Sequence, residues 1–345
     1  MTTPPFGFIS KESNHNAVQL SIIIPFLNER EVLSLCHARL TPILQSLSES
    51  YEIVFVDDGS TDDSISILAA IIPTHPETKV VRLSRNFGKE AAMSAGLAHA
   101  TGAAIIVLDA DLQDPPELIP KMVQAWRSGV DVVSMRRRRR HGESWLKRFS
   151  AFSFYRILNG LSQSQIPSDT GDFRLMSRRV VDLLLLFPER CRYMKGLYAW
   201  VGFPAAILDY DRDPRAAGTT KWNYLALFGL ALEGITSFST APLRWAAALG
   251  TIVALFGGFF GFWILLKTML FGHDVPGYPS LMAMITLLSG IQLLTIGLLG
   301  EYAGKAYMES KQRPLYVVRD VIDMNTVGVS RNDRQAFAQP DLILH

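Results

Sequence analysis

Residues 105–116 read Ile-Ile-Val-Leu-Asp-Ala-Asp-Leu-Gln-Asp-Pro-Pro, and the rest of the chain is organised around this stretch. Its aliphatic start predicts a buried parallel strand, and the two prolines predict that a helix begins soon after them. Asp109 and Asp111 therefore fall at the carboxyl end of a strand, where open α/β sheets bind ligands. Clustered oxygen donors on a short turn suit a hard divalent cation, which in turn suits a diphosphate. The alternative is a solvated turn that caps the next helix.

The composition of the 345-residue chain narrows the class of protein. Its length allows a substantial core and more than one unit. The net charge of +2 gives no global basic field, so no nucleic-acid partner is expected. Cys36 and Cys191 lie far apart without metal-ligand spacing, and we expect buried thiols in a reducing compartment. Residues 1–18 lack the apolar core of a signal peptide and are predicted to form a flexible arm.

Apolar runs alternate with helical segments through the first part of the chain, which predicts a βαβ-type sheet. Acids follow two of the runs, at 57–58 and at 109–111, and would meet at one edge of a doubly wound sheet. No G-x-G-x-x-G follows the first strand, so phosphates would be held by a metal and basic side chains, as in a nucleotide-sugar site. The predicted strands are 19–25, 51–56, 79–82, 103–108 and 130–134.

The hydropathy of the chain changes after Arg244, where two long uncharged runs occupy 246–266 and 281–300. Each could cross roughly 30 Å of hydrocarbon, which takes about 20 helical residues. The short Gly- and Pro-containing link predicts a hairpin, and the basic residues outside the link predict that both ends face the cytoplasm. Glycines and threonines in both runs allow close helix packing and hence a homo-oligomer. The apolar stretch 224–238 predicts an interfacial helix, with a core helix of the soluble domain as the alternative.

Seven motifs carry a resemblance to a known family. Segments 21–29 (SIIIPFLNE), 56–62 (VDDGSTD), 83–89 (LSRNFGK) and 109–113 (DADLQ) resemble the signature series of family 2 glycosyltransferases with the GT-A fold. The resemblance is narrowed within that family by the two apolar runs and by segments 169–174 (DTGDFR), 192–196 (RYMKG) and 215–222 (RAAGTTKW). Together they resemble the polyprenyl-phosphate glycosyltransferases, especially bactoprenol glucosyltransferases and more distantly dolichol-phosphate mannose synthases. The resemblance covers about 20–318.

The resemblance implies an α/β fold with a GT-A (Rossmann-like, mostly parallel sheet) catalytic domain, interfacial helices and a two-helix transmembrane hairpin. The protein would be a metal-dependent, inverting hexosyltransferase of the bacterial inner membrane, with its catalytic domain in the cytoplasm. It would move one sugar, glucose from UDP-glucose as the first choice, to a polyprenyl phosphate such as undecaprenyl phosphate. The implied units are an arm (1–18), the GT-A domain (19–223), a juxtamembrane amphipathic segment (224–243), two membrane helices within 244–304 (about 246–268 and 280–302) and a cytoplasmic tail (305–345).

The alternative from a different class of function is a non-catalytic, membrane-anchored nucleotide-sugar-binding protein or scaffold. The acid cluster favours the enzyme, because a scaffold has no reason to keep acids at converging strand ends.

The resemblance also implies a donor site and its ion. A Mg²⁺ or Mn²⁺ ion would be held by Asp109, Asp111 and Gln113, in keeping with the few protein oxygens that Mg²⁺ usually takes. The ion would act as a Lewis acid on the departing nucleoside diphosphate. The residues implied to bind the nucleotide sugar are Pro25, Asn28, Glu29, Asp57, Asp58, Lys89, Asp109, Arg215 and Lys221. For Arg215 and Lys221 the alternative is a solvated basic loop.

The acceptor side carries five consecutive arginines at 136–140, followed closely by the aromatic-rich stretch 149–155. Basic residues beside aromatic ones are typical of a surface that rests on anionic lipid headgroups. Because the guanidinium fork suits a phosphate, we assign Arg136 and Arg148 to the acceptor phosphate. Simple solubilising charge is the alternative.

Asp169 and Asp172 resemble the position proposed as the catalytic base in this family. A lipid monophosphate has a second pKa of about 6 and is mostly a dianion at neutral pH. Positioning can therefore matter more than proton abstraction. The alternative is that one of these acids orients Arg174 or Lys195.

Overall fold

The computed structural model describes residues 18–138, 170–190, 192–211, 240–271 and 277–329. Several of the predictions concern residues outside these ranges. They are the arm up to residue 17, Cys191, Arg148, Asp169, Arg215, Lys221 and the interfacial stretch 224–238.

The described residues form one mixed sheet with the strand order β7-β5-β6-β4-β1-β2-β3-β8. Parallel pairs join β1 to β2 and β4, β2 to β3, and β5 to β7. Strand β6 runs antiparallel to β4 and β5, and β8 runs antiparallel to β3. The strands are β1 (Leu20–Phe26), β2 (Tyr51–Asp57), β3 (Thr78–Leu83), β4 (Ala104–Val107), β5 (Val132–Arg137), β6 (Thr170–Ser177), β7 (Ala205–Tyr210) and β8 (Val318–Ile322).

Helices cover both faces of the sheet, as parallel crossovers require. Strand β1 is buried along its whole length, and its side chains alternate between two apolar layers. Ile22 and Ile24 pack with α1, α2 and α4, whereas Ile23 packs with α3, α5 and α6. The helices are α1 (Leu33–Gln45), α2 (Ser64–Ile71), α3 (Lys89–His99), α4 (Ile119–Arg127), α5 (Arg178–Leu185), α6 (Met194–Val201), α7 (Ala241–Phe271), α8 (Tyr278–Ser310) and α9 (Met324–Val329).

Three strands of the sheet were not predicted from the sequence. Strands β6 and β7 follow the arginine run, and β8 lies in the segment that we expected to be a cytoplasmic tail. Both β7 and β8 are edge strands with mixed exposure, so they lack the continuous apolar run that marks β1 and β4. The five predicted strands are present with boundaries shifted by a few residues, and Cys36 is a buried free thiol as expected.

Helices α7 and α8 contain segments that are long and apolar enough to cross a membrane, at Pro242–Ile264 and Leu287–Ser310. Both helices extend beyond the predicted spans of 246–268 and 280–302. Large apolar side chains on them are exposed, including Phe259 at 71% and Leu294 at 71%. Such contiguous apolar surface is unfavourable in water, which indicates association with a membrane.

Candidate functional site

Acidic side chains follow the two strands that flank β1, at the same carboxyl edge of the sheet. Strands β4 and β2 both pair with β1, in parallel, so the chain leaves all three at the same edge. Asp57 is the last residue of β2, and Asp109 lies two residues beyond the end of β4. Asp57 is 2% exposed, and its Oδ1 accepts a hydrogen bond of 2.8 Å from the Ser60 N–H. The sheet order therefore places these acids at one edge, as the sequence predicted.

The loops after β1 and β2 are locked to each other beside Asp57. The Asn28 N–H donates to Ser60 Oγ at 2.9 Å, and Asn28 Oδ1 accepts from the Thr61 N–H at 2.8 Å. The Glu29 N–H donates to Ser64 Oγ at 3.2 Å. Asn28 has a φ of +54°, a left-handed conformation that asparagine tolerates better than most residues. Asn28 and Glu29 are thus held next to Asp57, whereas Pro25 is buried inside β1.

Asp58 shapes the loop that leads into α3. Its two carboxylate oxygens accept the Phe87 N–H at 2.8 Å and the Gly88 N–H at 2.9 Å. Gly88 has a φ of +98°, which favours glycine at this position. These contacts fix the start of α3 and hence the position of Lys89, its first residue.

Lys89 joins acids that come from two different strands. Its Nζ lies 2.6 Å from Asp109 Oδ1 and donates to Asp172 Oδ2 at 2.8 Å. The ammonium group thereby brings Asp172, on β6, beside the turn that follows β4. The sequence placed Lys89 among the donor-binding residues but gave no sign of this bridge.

Asp172 is held as a carboxylate by its neighbours. Burial alone would raise its pKa, but the positive charges of Lys89 and Lys195 outweigh burial and hold the pKa of Asp172 well below its usual range. A carboxylate of this kind is a weak base at neutral pH. Arg174 also contributes positive charge that lowers the pKa of Asp172, while it donates to the Gly171 carbonyl at 2.8 Å and stacks on the Tyr198 ring at 3.7 Å.

The turn after β4 offers oxygen donors from Asp109, Asp111 and Gln113. Asp111 Oδ1 accepts the Gln113 N–H at 3.2 Å, and Leu112 between them has a φ of +55° while being 2% exposed. A buried leucine in the left-handed region is strained, and such strain is typical of functional turns. Within the described ranges no group of three or more His, Cys, Asp or Glu side chains could hold a metal ion. Two carboxylates and one amide fit a hard cation that completes its shell with substrate oxygens and water.

A buried polar cluster connects the turn after β4 to the strands at the β5–β7 edge of the sheet. The Tyr210 hydroxyl donates to Asp114 Oδ1, and the Arg137 Nε–H donates to the Tyr210 hydroxyl at 3.3 Å. Asp114 is 1% exposed, so its charge depends on these partners. No local pattern predicts the cluster, because its members come from three separate segments. It ties the candidate metal turn to β5 and β7.

Arg136 and Arg137 point to opposite sides, as neighbours in a strand do. Arg136 is exposed and forms a two-bond pair with Asp209, with distances of 2.7 and 3.1 Å. The structure therefore places Arg137, rather than Arg136, next to Asp114 in the turn after β4. The assignment of Arg136 to the acceptor phosphate stays a prediction.

Replacing Tyr210 with Phe is expected to destabilise the protein by roughly 1–3 kcal/mol, because buried Asp114 loses its hydroxyl donor. Thermal unfolding of the two proteins in the same detergent measures the difference. Tyr307→Phe is the matched control, since Tyr307 is 58% exposed on α8. Equal melting temperatures for wild type and Tyr210→Phe would contradict the anchoring role.

Glu90 gives the site a pH-dependent component of stability. Burial and then the negative charge of Asp172 raise the pKa of Glu90 to about 7, and Glu90 Oε2 accepts the Met194 N–H at 3.3 Å. The folded chain binds this proton more tightly than the unfolded chain, so Glu90 makes stability fall as pH rises from the ordinary glutamate pKa through 7.

Glu90→Gln removes this ionisation and keeps an oxygen for the Met194 N–H. We expect its melting temperature, relative to wild type, to increase between pH 5 and pH 8. Melting curves across that range measure the effect, and a difference that does not change with pH would contradict it.

Comparisons with known proteins agree with this geometry. The family model described as glycosyl transferase family 2 matches residues 21–185. An uncharacterized glycosyltransferase of Synechocystis, sll0501, is 48% identical over 88% of this chain and 96% of its own length. The bactoprenol glucosyl transferase of Shigella phage SfV is 43% identical over 88% of this chain and 99% of its own length.

A more distant likeness links the chain to a solved structure. Glucosyl-3-phosphoglycerate synthase from Mycobacterium tuberculosis, in complex with Mn²⁺, UDP-glucose and phosphoglyceric acid, is 20% identical with a TM-score of 0.42. The match covers 64% of this chain and 78% of that one.

The high identities extend over 88% of this chain and nearly the whole length of both relatives. The mixed, mostly parallel sheet with two long apolar C-terminal helices is also the GT-A-like architecture that the motifs implied. The chain therefore belongs to glycosyl transferase family 2 and is a glycosyltransferase.

Proposed function

We propose that this enzyme transfers one sugar, glucose from UDP-glucose as the first choice, to the phosphate of a polyprenyl phosphate such as undecaprenyl (bactoprenol) phosphate. The observation that carries the proposal is the 43% identity to a bactoprenol glucosyl transferase over 99% of that protein's length. The acidic sheet edge around Lys89 supports it, because a nucleotide sugar needs a site for a diphosphate and its counter-ions.

The donor would lie along the carboxyl edge of the sheet. Asn28, Glu29 and Asp57 form one hydrogen-bonded corner that suits a base and a ribose. Asp109, Asp111 and Gln113 would hold Mg²⁺ or Mn²⁺, and the bound ion would supply Lewis-acid stabilisation of the leaving diphosphate. Lys89 already places a positive charge beside Asp109, and Arg215 and Lys221 would add positive charge to the diphosphate site.

The acceptor phosphate needs positioning more than it needs a base. With a second pKa of about 6 it is mostly a dianion at neutral pH, so its oxygen can attack without losing a proton. The low pKa of Asp172 agrees with this, because a carboxylate with a low pKa forms an ion pair with Lys89 but is a weak base. We further propose that Arg136 and Arg148 meet the acceptor phosphate, and that attack opposite the departing diphosphate inverts the anomeric carbon.

The lipid acceptor fits the two apolar helices. We propose that α7 and α8 cross the bacterial inner membrane as a hairpin with both ends in the cytoplasm, because basic residues flank the pair. The catalytic domain would then reach a lipid phosphate from the cytoplasmic leaflet.

The proposal is tested by a donor screen with the full chain. Purified protein in vesicles that contain undecaprenyl phosphate is supplied with Mn²⁺ and single UDP-sugars, and lipid-linked product is measured. We expect product with UDP-glucose, and none when the lipid alcohol replaces the lipid phosphate. Nucleotide binding without product from any donor would instead favour a non-catalytic binding protein.

A further inference from the structure

The chain that follows α8 returns to the catalytic domain. The Arg190 N–H donates to Glu309 Oε1 at 2.7 Å near the end of α8, and the Ser84 N–H donates to the Val317 carbonyl at 2.9 Å. Strand β8 then pairs with β3, and in this pairing Arg82 lies opposite Asp320. A segment from beyond the two apolar helices thus forms one edge of the sheet that carries the candidate donor site.

Arg82 links this edge strand to the candidate donor site. Its Nη1 donates to Asp320 Oδ2 at 3.1 Å, and its Nε lies 3.9 Å from Asp57 Oδ2. The Nε–H is buried and makes no hydrogen bond within the described part of the chain. Asp57 is 2% exposed, and a buried carboxylate needs a nearby positive charge. The guanidinium group of Arg82, on β3, therefore lies between Asp320 on β8 and the acid that ends β2.

We propose that Asp320 is a positioning residue for the nucleotide donor, which acts by holding Arg82 beside Asp57. The inference rests on the proposed function, in which Asp57 contacts the nucleotide. With Asp320 in place, Arg82 lies 3.9 Å from the Asp57 carboxylate and holds it in the orientation that accepts hydrogen bonds from the ligand. The strand downstream of the second apolar helix thereby becomes part of the donor pocket, and donor affinity depends on its docking.

The structure offers matched variants for a test with the full chain in detergent. Asp320→Asn removes the charge that holds Arg82, whereas Asp320→Glu keeps a carboxylate. Arg319→Gln removes a charge from the exposed side of the same strand. Asp323→Asn removes an acid just after the strand, where its Oδ1 accepts the Thr326 N–H at 2.8 Å.

The measurements are UDP affinity by calorimetry in the presence of Mn²⁺, KM and kcat for UDP-glucose, and melting temperature. We expect Asp320→Asn to weaken UDP binding and raise KM by roughly two- to fivefold with kcat little changed, the range for loss of one partly exposed charged contact. Asp320→Glu should recover most of the affinity, and the two controls should bind UDP as wild type does.

The outcomes separate the inference from the proposed function. If wild type binds UDP and Asp320→Asn binds it equally well, the positioning role is wrong and the proposed function stands. If Arg319→Gln or Asp323→Asn weakens binding as much as Asp320→Asn, the effect is a general loosening of the strand, and the inference is overturned. If the wild-type chain binds no UDP and yields no product, the proposed function fails and the inference fails with it.

Discussion

Asp111→Asn is expected to reduce the rate of lipid-linked sugar formation by roughly 10²–10³-fold, the cost of removing one group that stabilises charge in the transition state. Asparagine keeps the size and one oxygen but loses the charge that would hold a divalent cation on the strained turn at Leu112. Asp111 is partly exposed, so the fold should survive the change. Initial rates at saturating donor, Mn²⁺ binding by electron paramagnetic resonance and a melting curve are the three measurements.

The matched control is Asp182→Asn, which removes an acid whose side chain is 61% exposed on α5. It should leave rate and Mn²⁺ affinity unchanged. Wild-type turnover and wild-type Mn²⁺ affinity in Asp111→Asn would remove the metal assignment.

Asp172→Asn is expected to lower kcat by about 10²-fold, because Lys89 loses one of its two carboxylate partners and the reacting groups lose alignment. The pH dependence tells positioning from base catalysis. If the acceptor dianion is the nucleophile, the rate rises with the second ionisation of the lipid phosphate, near pH 6. We expect that rise to persist in Asp172→Asn, measured as kcat/KM for the lipid between pH 5 and pH 8.

Loss of the rise in Asp172→Asn, with the rise intact in wild type, would contradict the assignment of the acceptor dianion as the nucleophile. Asp131→Asn is a suitable control, since Asp131 is also an ion-paired acid but its partner is Arg179. It should leave both the rate and the pH profile as they are in wild type.

Local sequence patterns were sufficient for much of this protein. The apolar runs predicted β1, β2 and β4, and the acids directly after two of them predicted the carboxyl edge at which Asp57 and Asp109 lie. The two uncharged runs predicted α7 and α8. All of these depend on the properties of a few consecutive residues, namely hydropathy, periodicity and turn-forming residues, which can be read directly from the chain.

The pairings between distant segments were decided only by the tertiary structure. Lys89 and Asp172 are 83 residues apart, Asp114 and Tyr210 are 96 apart, and Arg82 and Asp320 are 238 apart. Each pair exists because the order of strands in the sheet brings the two segments together. Strand order minimises the free energy of the whole fold, so no single segment encodes it. The sequence by itself determined the candidate residues for the chemistry, and the fold decided which of them lie in contact with one another.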